Sequence, residues 1–142
     1  MTRLLFTVVF ACAAACGGHN APPDLPRADA APGPFTVQTS VPARGMAEGE
    51  FTLDVGGSIN VSFSASAELE WNLHTHNEGS TQYLRQGTGA AATYSYIATQ
   101  QGDHWPMWDN RSDAAVDLEV MLTLGAGATW NGWLPTPAAK KP

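Results

Sequence analysis

Charge is scarce in this sequence, since only 14% of its 142 residues are Asp, Glu, Lys or Arg. Soluble proteins usually carry about 25%. Basic charge is scarcer still, with 7 Lys and Arg against 13 Asp and Glu and a net charge of −6. No basic run occurs, which argues against nucleic acid as a partner, because neutralising phosphates takes clustered lysine and arginine. Two cysteines, Cys12 and Cys16, are all the chain has. No segment holds a helical period of 3.6, and no apolar run reaches the roughly 20 residues that a bilayer-spanning helix needs. The length allows one domain of ordinary size and no second catalytic lobe.

What is present begins with an address. Arg3 supplies an early positive charge, and Leu4 to Ala15 (LLFTVVFACAAA) is an uncharged apolar run of 12 residues. Together they form the n-region and h-region of an export signal. The run closes on Ala13-Ala14-Ala15-Cys16-Gly17-Gly18, and small residues directly before a cysteine resemble bacterial lipoprotein signals. Ala13 departs from the aliphatic residue usual three places before that cysteine. Cys12 is the weaker choice, because Phe10 is bulky and its apolar run is shorter. The resemblance implies cleavage after residue 15 and acylation of Cys16, giving a membrane anchor through the N-terminal lipid. Acyl chains hold firmly, each buried methylene contributing about 0.8 kcal/mol. Gly17 stands where an aspartate would retain some lipoproteins at the inner membrane, so the expected location is the outer membrane of a bacterial envelope. With Cys12 removed and Cys16 acylated, no disulfide remains to support the domain.

Residues 16–34 form the expected tether after a signal peptide spanning 1–15. Gly17 to Pro34 has five prolines and one large aliphatic residue, Leu25. Such a segment cannot bury enough apolar surface to fold. His19 is a linker residue and no ligand.

The expected domain covers 35–137, followed by a short tail, 138–142. Alternating runs predict strands at Phe35–Val41, Glu50–Val55, Ser58–Ser66, Leu69–His76, Ala92–Ala98, His104–Trp108 and Val116–Leu124, with a short one at Gln82–Arg85. Gly56-Gly57 reads as a hairpin-like turn, and Pro106 suits an edge strand or a bulge. The expected fold is all-β, an antiparallel β-sandwich of about seven to eight strands.

Tyr94 to Val120 (YSYIATQQGDHWPMWDNRSDAAVDLEV) sets an aromatic strand, a turn with Gly102, a second aromatic strand ending in Asn110, and a β-rich strand in succession. This quarter of the chain resembles the Golgi-dynamics (GOLD) type of β-sandwich, without the cysteine pair common in its eukaryotic members. The resemblance implies a sandwich that serves as an interaction module. Independently, the Asn110 amide is suited to closing the turn after the second aromatic strand by bonding backbone.

Two clusters could carry function. In His74-Thr75-His76, residues i and i+2 of a strand share a face, so both imidazoles can approach one ion. His104 is the remaining histidine of the domain, and a three-histidine set would suit zinc or copper. Met107 cannot join His104 on one ion if the segment is extended, and without cysteine a blue-copper centre is excluded. The competing explanation is that alternation alone puts polar histidines on a solvated face. The second cluster, Trp105, Trp108, Trp130 and Trp133, could stack on sugar rings or seat a protein partner, unless these residues are core.

Nothing frames a nucleophile, a phosphate loop or a catalytic carboxylate pair. The sequence therefore describes a non-catalytic, lipid-anchored binding module for an envelope protein or small ligand, with no obligatory cofactor. A copper or zinc lipoprotein using the histidines is the alternative, and a carbohydrate-binding module using the tryptophans is the third reading. The domain itself carries eleven acidic residues against Arg44, Arg85 and Arg111, a field that attracts cations.

Overall fold

The computed structural model describes residues 33–135; the signal sequence, Cys16 and nearly all of the tether lie outside them, as does the tail. Among the described residues there is no helix, and hence none long and apolar enough to cross a membrane. Seven strands follow one another: β1 (Phe35–Val41), β2 (Met46–Leu53), β3 (Ser58–Asn77), β4 (Ser80–Ile97), β5 (Gly102–Asp109), β6 (Val116–Leu124) and β7 (Ala128–Trp133). All pairings are antiparallel, in the order β1-β6-β3-β5-β2-β7, with β4 also on β3.

The long β3–β4 hairpin organises the fold. Residues 59–65 of β3 pair with β6, while residues 70–74 pair with β5. Between these stretches the β3–β4 register shifts, from Ser64 to Leu69. An irregularity of this kind bends and twists a strand, so one sheet curls into two layers. The first layer is β1-β6 with the start of β3 and the end of β4. The second is β7-β2-β5 with the rest of the hairpin.

The sequence patterns predict two strands on each side of this bend; the chain instead runs through it, because the Ser and Ala residues of 64–67 leave the backbone free to keep extending. The hairpin turn also lies elsewhere than at Gly56-Gly57. Those glycines form a turn closed by Gly57 N–H donating to the Asp54 carbonyl (2.8 Å), but β2 and β3 do not pair, so the turn passes the chain between layers. The true hairpin is at Glu78-Gly79, both with positive φ (50° and 81°), the conformation a tight two-residue turn requires.

The core lies between the layers. Ile59, Val61 and Phe63 of β3, Val116, Leu118, Val120, Leu122 and Leu124 of β6, and Phe51 and Leu53 of β2 are buried. Phe63 meets the edges of Trp71 and Trp108, with ring centroids 5.9 and 5.8 Å apart, which ties the first layer to the second. Trp71 also stacks on Tyr94 at 5.1 Å with planes 1° apart. Gly87 makes room for that indole: a Cβ there would lie 2.6 Å from Trp71 Cζ2.

Pro106 is not at an edge, for β5 runs between β3 and β2. It is accommodated because the β2–β5 ladder skips the register opposite Trp105 and Pro106, resuming at Phe51–His104. Asn110 closes the following turn as its sequence suggests. Its Nδ2 donates to the carbonyls of Val41, Pro42 and Ala114 (3.2, 3.0 and 2.7 Å), and its Oδ1 accepts from Ser112 N–H at 2.9 Å.

Candidate functional site

Alternation along the second layer decides which side chains see the core and which see solvent. On β3, Leu69, Trp71 and Leu73 point inward, and Glu70, Asn72, His74 and His76 point outward. On β5, the pairings Asn72–Met107 and His74–Trp105 place Met107 and Trp105 on the same outer face. Glu48 of β2 stands opposite Met107 and completes the row. The outer face around β5 therefore gathers side chains from three strands.

His74 is unusual for such a face, because it is only 4% exposed, and Asn72 beside it only 9%. Trp105 covers His74 with ring centroids 5.9 Å apart, His76 abuts it at 5.1 Å, and exposed Tyr83 of β4 lies 6.0 Å away. The imidazole is held by its Nδ1–H donating to Asn72 Oδ1 at 2.8 Å. In the neutral ring that leaves Nε2 with a bare lone pair. Nε2 faces Glu48 Oε1 at 3.4 Å. His76 is open to solvent, with its Nδ1 3.3 Å from the Thr81 hydroxyl.

Burial sets the electrostatics. It holds the His74 imidazole below its ordinary range, with neighbouring His76 adding to the effect. It raises the Glu48 carboxyl, partly offset by attraction to His76. Both groups are thus pushed toward neutrality, the signature of a desolvated acid–base pair.

The structure brings together only part of what the sequence suggests. His104 is separated from the other two histidines: it stands opposite Phe51 on the inner face of β5 and packs against Tyr96 at 5.3 Å. One strand cannot present neighbouring residues 104 and 105 to the same side. Met107, by the same rule, lies on the face of His74 and opposite to that of His104. Among the described residues, no three His, Asp or Glu side chains are grouped so as to hold a metal ion.

The tryptophans divide as well. Trp108 is fully buried; Trp130 packs on Phe51 at 4.8 Å, and Trp133 meets Trp108 and Trp130 edge to face at 5.7 and 5.5 Å. Trp108 is core, and Trp130 and Trp133 are partly buried against it at the β2–β7 edge, above Gly49, whose lack of a side chain admits Trp130. Trp105 alone belongs to the outer face.

Glu48 escapes a sequence reading, since it precedes the expected strand start at Glu50 and lies 26 positions before His74. Its alternation with Glu50 and Thr52 is a usable signal for the outer face, but the pairing of β2 with β5 is not. Glu70 shares the face of His74 yet is engaged by Arg111 at 3.0 Å, which also reaches Asp109 at 2.9 Å. These ion pairs are exposed and contribute little to stability.

The architecture is that of an all-β antiparallel sandwich. A similar solved structure is the crystal structure of Yersinia pseudotuberculosis-derived mitogen (YPM), with a TM-score of 0.55 at 13% identity, covering 78% of this chain and 98% of that one. At that identity the likeness concerns the fold alone. No family model matches the chain, and no curated protein matches it.

Proposed function

We propose that this chain is an exported, lipid-anchored, non-catalytic binding module of the bacterial envelope, and that its ligand face is the outer surface of β2, β5 and β3 around His74. The observation that carries the ligand face is the burial of His74 and Asn72 on the side of the sheet turned away from the core. A polar pair normally stays solvated there, whereas these two are fixed in place by Trp105, His76 and Glu48. Anchoring is supported by Ala14-Ala15-Cys16 at the end of the apolar run, followed by a proline-rich tether. The outer membrane is favoured because Gly17, not aspartate, follows the cysteine.

A second reading, copper or zinc as the ligand, is favoured by one distance. Two donor atoms each about 2.1 Å from a tetrahedral ion stand about 3.4 Å apart, and His74 Nε2 and Glu48 Oε1 are separated by 3.4 Å. In this reading Glu48 takes the place that the sequence suggests for His104, and His76 swings in as the third donor. The facing lone pairs of Nε2 and the carboxylate favour any positive charge between them, whether a proton or a metal ion.

Equilibrium dialysis of the full chain carrying Cys16→Ser against Zn(II) tests this reading. His74→Ala and His76→Ala each remove most of the retained zinc, while His104→Ala leaves it unchanged. Fractionation tests the anchor: Cys16→Ser releases the protein from the membrane, and retention with acyl chains still attached would refute it.

A further inference from the structure

Beside the His74 face, at the end of the sandwich near the tip of the β3–β4 hairpin, the surface opens into a cleft. Its volume is about 330 Å³, at the small end of the range for ligand pockets. Asn77 and Gln82 line it from the hairpin, Tyr96 and Gln100 from the end of β4 and the turn after it, and Asp103 and His104 from β5. It adjoins the His74 face, because His76 and Trp105, which pack against His74, also line it.

His104 is the informative residue. It is 3% exposed, and its Nδ1–H donates to the Gly102 carbonyl at 3.0 Å. The ring is thereby fixed with Nε2 as an acceptor, and among the described residues no hydrogen bond reaches Nε2. Burial keeps the ring neutral, against weaker opposing effects from Gly102 and Asp103. Nε2 is thus an oriented acceptor on a residue that lines the cleft, available to a donor from a ligand.

The rest of the lining narrows the donor's identity. Among the described residues no lysine or arginine lines the cleft, and Arg85 is engaged over the Tyr96 ring at 5.9 Å, so an anionic group would find no cation in the lining itself. An apolar ligand would strand the amides of Asn77, Gln82 and Gln100. Each of those amides both donates and accepts, as does a sugar hydroxyl. Asp103 holds one oxygen on the Thr52 hydroxyl at 2.9 Å, and its other oxygen can accept from a hydroxyl. Trp105, also in the lining, supplies an aromatic surface for the C–H bonds of a sugar ring.

We infer that this cleft is a subsite for one ring of a neutral saccharide, with a sugar hydroxyl donating to His104 Nε2. The full chain carrying Cys16→Ser, titrated with neutral tetrasaccharides of glucose, mannose, galactose and N-acetylglucosamine, provides the test. At least one probe shifts the backbone amide signals of residues 100–104 along a saturable curve. Gln82→Ala combined with Gln100→Ala, both exposed positions, weakens that binding at least tenfold without lowering the melting temperature. His104→Leu, which keeps bulk but removes Nε2, abolishes it. If no probe gives a saturable shift at these residues, or if the double amide variant binds as the parent does, the inference is overturned.

Discussion

Glu48 Oε1 and His74 Nε2 stand 3.4 Å apart across β5, although 26 residues separate them in the chain and their strands do not pair. Among the described residues neither makes another salt bridge, and only His76 adds to their electrostatics. The carboxylate is penalised by desolvation, so above its raised pKa the ionised form opposes folding. Glu48→Gln removes that penalty and is expected to raise the melting temperature at neutral pH. The same change is expected to weaken zinc binding at least tenfold, so stability and affinity move in opposite directions. A variant that loses both would mark Glu48 as a structural residue only.

The histidines give the fold an acid sensitivity. Burial holds both His74 and His104 below the ordinary imidazole range, to which they return, near about 6.5, when unfolded. Between the folded and unfolded values the unfolded chain binds more protons, so stability falls as the pH drops through about 6.5 and levels off below the folded values. Glu48 acts in the opposite sense at lower pH, because its folded pKa is raised: its penalty fades as the pH falls through that value toward 4.5. In the Glu48→Gln background the urea midpoint is therefore expected to be lower at about pH 5.5 than at about pH 7.5. Adding His74→Gln and His104→Gln should flatten that difference, whereas an equal midpoint at both pH values in the Glu48→Gln protein itself would contradict the account.

Asn110 has no exposed surface; its Nδ2 ties the β5–β6 turn to the end of β1 at the Val41 and Pro42 carbonyls, and its contacts with Ala114 and Ser112 close the turn itself. Each such bond contributes about 1 kcal/mol net, and removing the amide leaves buried carbonyls unpaired. Asn110→Ala is expected to cost about 3 kcal/mol in equilibrium denaturation. A loss below about 1 kcal/mol would mean that water replaces the amide there.

Phe63 is where the two layers meet, its ring against the edges of Trp71 and Trp108. Phe63→Ala is expected to cost about 3–5 kcal/mol by the same measurement, the usual range for truncating a large core aromatic. Circular dichroism of the unmutated chain should be dominated by strand.

Most strands are legible from alternation. Phe35–Val41 and Val116–Leu124 match the observed β1 and β6, because a clean period of two needs no tertiary help. The course of β3 and β4 through their bend is not legible, since the small residues of 64–67 and Gly87 to Ala91 fit a turn or a strand equally well. Those two strands are long because each pairs in both layers, a fact of topology that local pattern does not contain. The candidate face was half visible for the same reason. The i, i+2 spacing puts His74 and His76 together, but only strand order brings Glu48 and Trp105 to them and takes His104 away. Trp108 is core, with Trp130 and Trp133 half-buried against it, because their positions alternate inward opposite Ala47, Phe51 and Gly49, and those pairings too belong to topology.

The central claim, that the outer face around His74 is the binding face, is tested most directly, with a cation as the probe, by residue-resolved amide spectra of the full chain carrying Cys16→Ser, titrated with Cu(II). The account predicts that substoichiometric copper broadens the signals of residues 72–76, 105–107 and 48 before any others, and that His74→Ala abolishes the selective broadening. Broadening centred on His104, or unchanged in the His74→Ala protein, would contradict it.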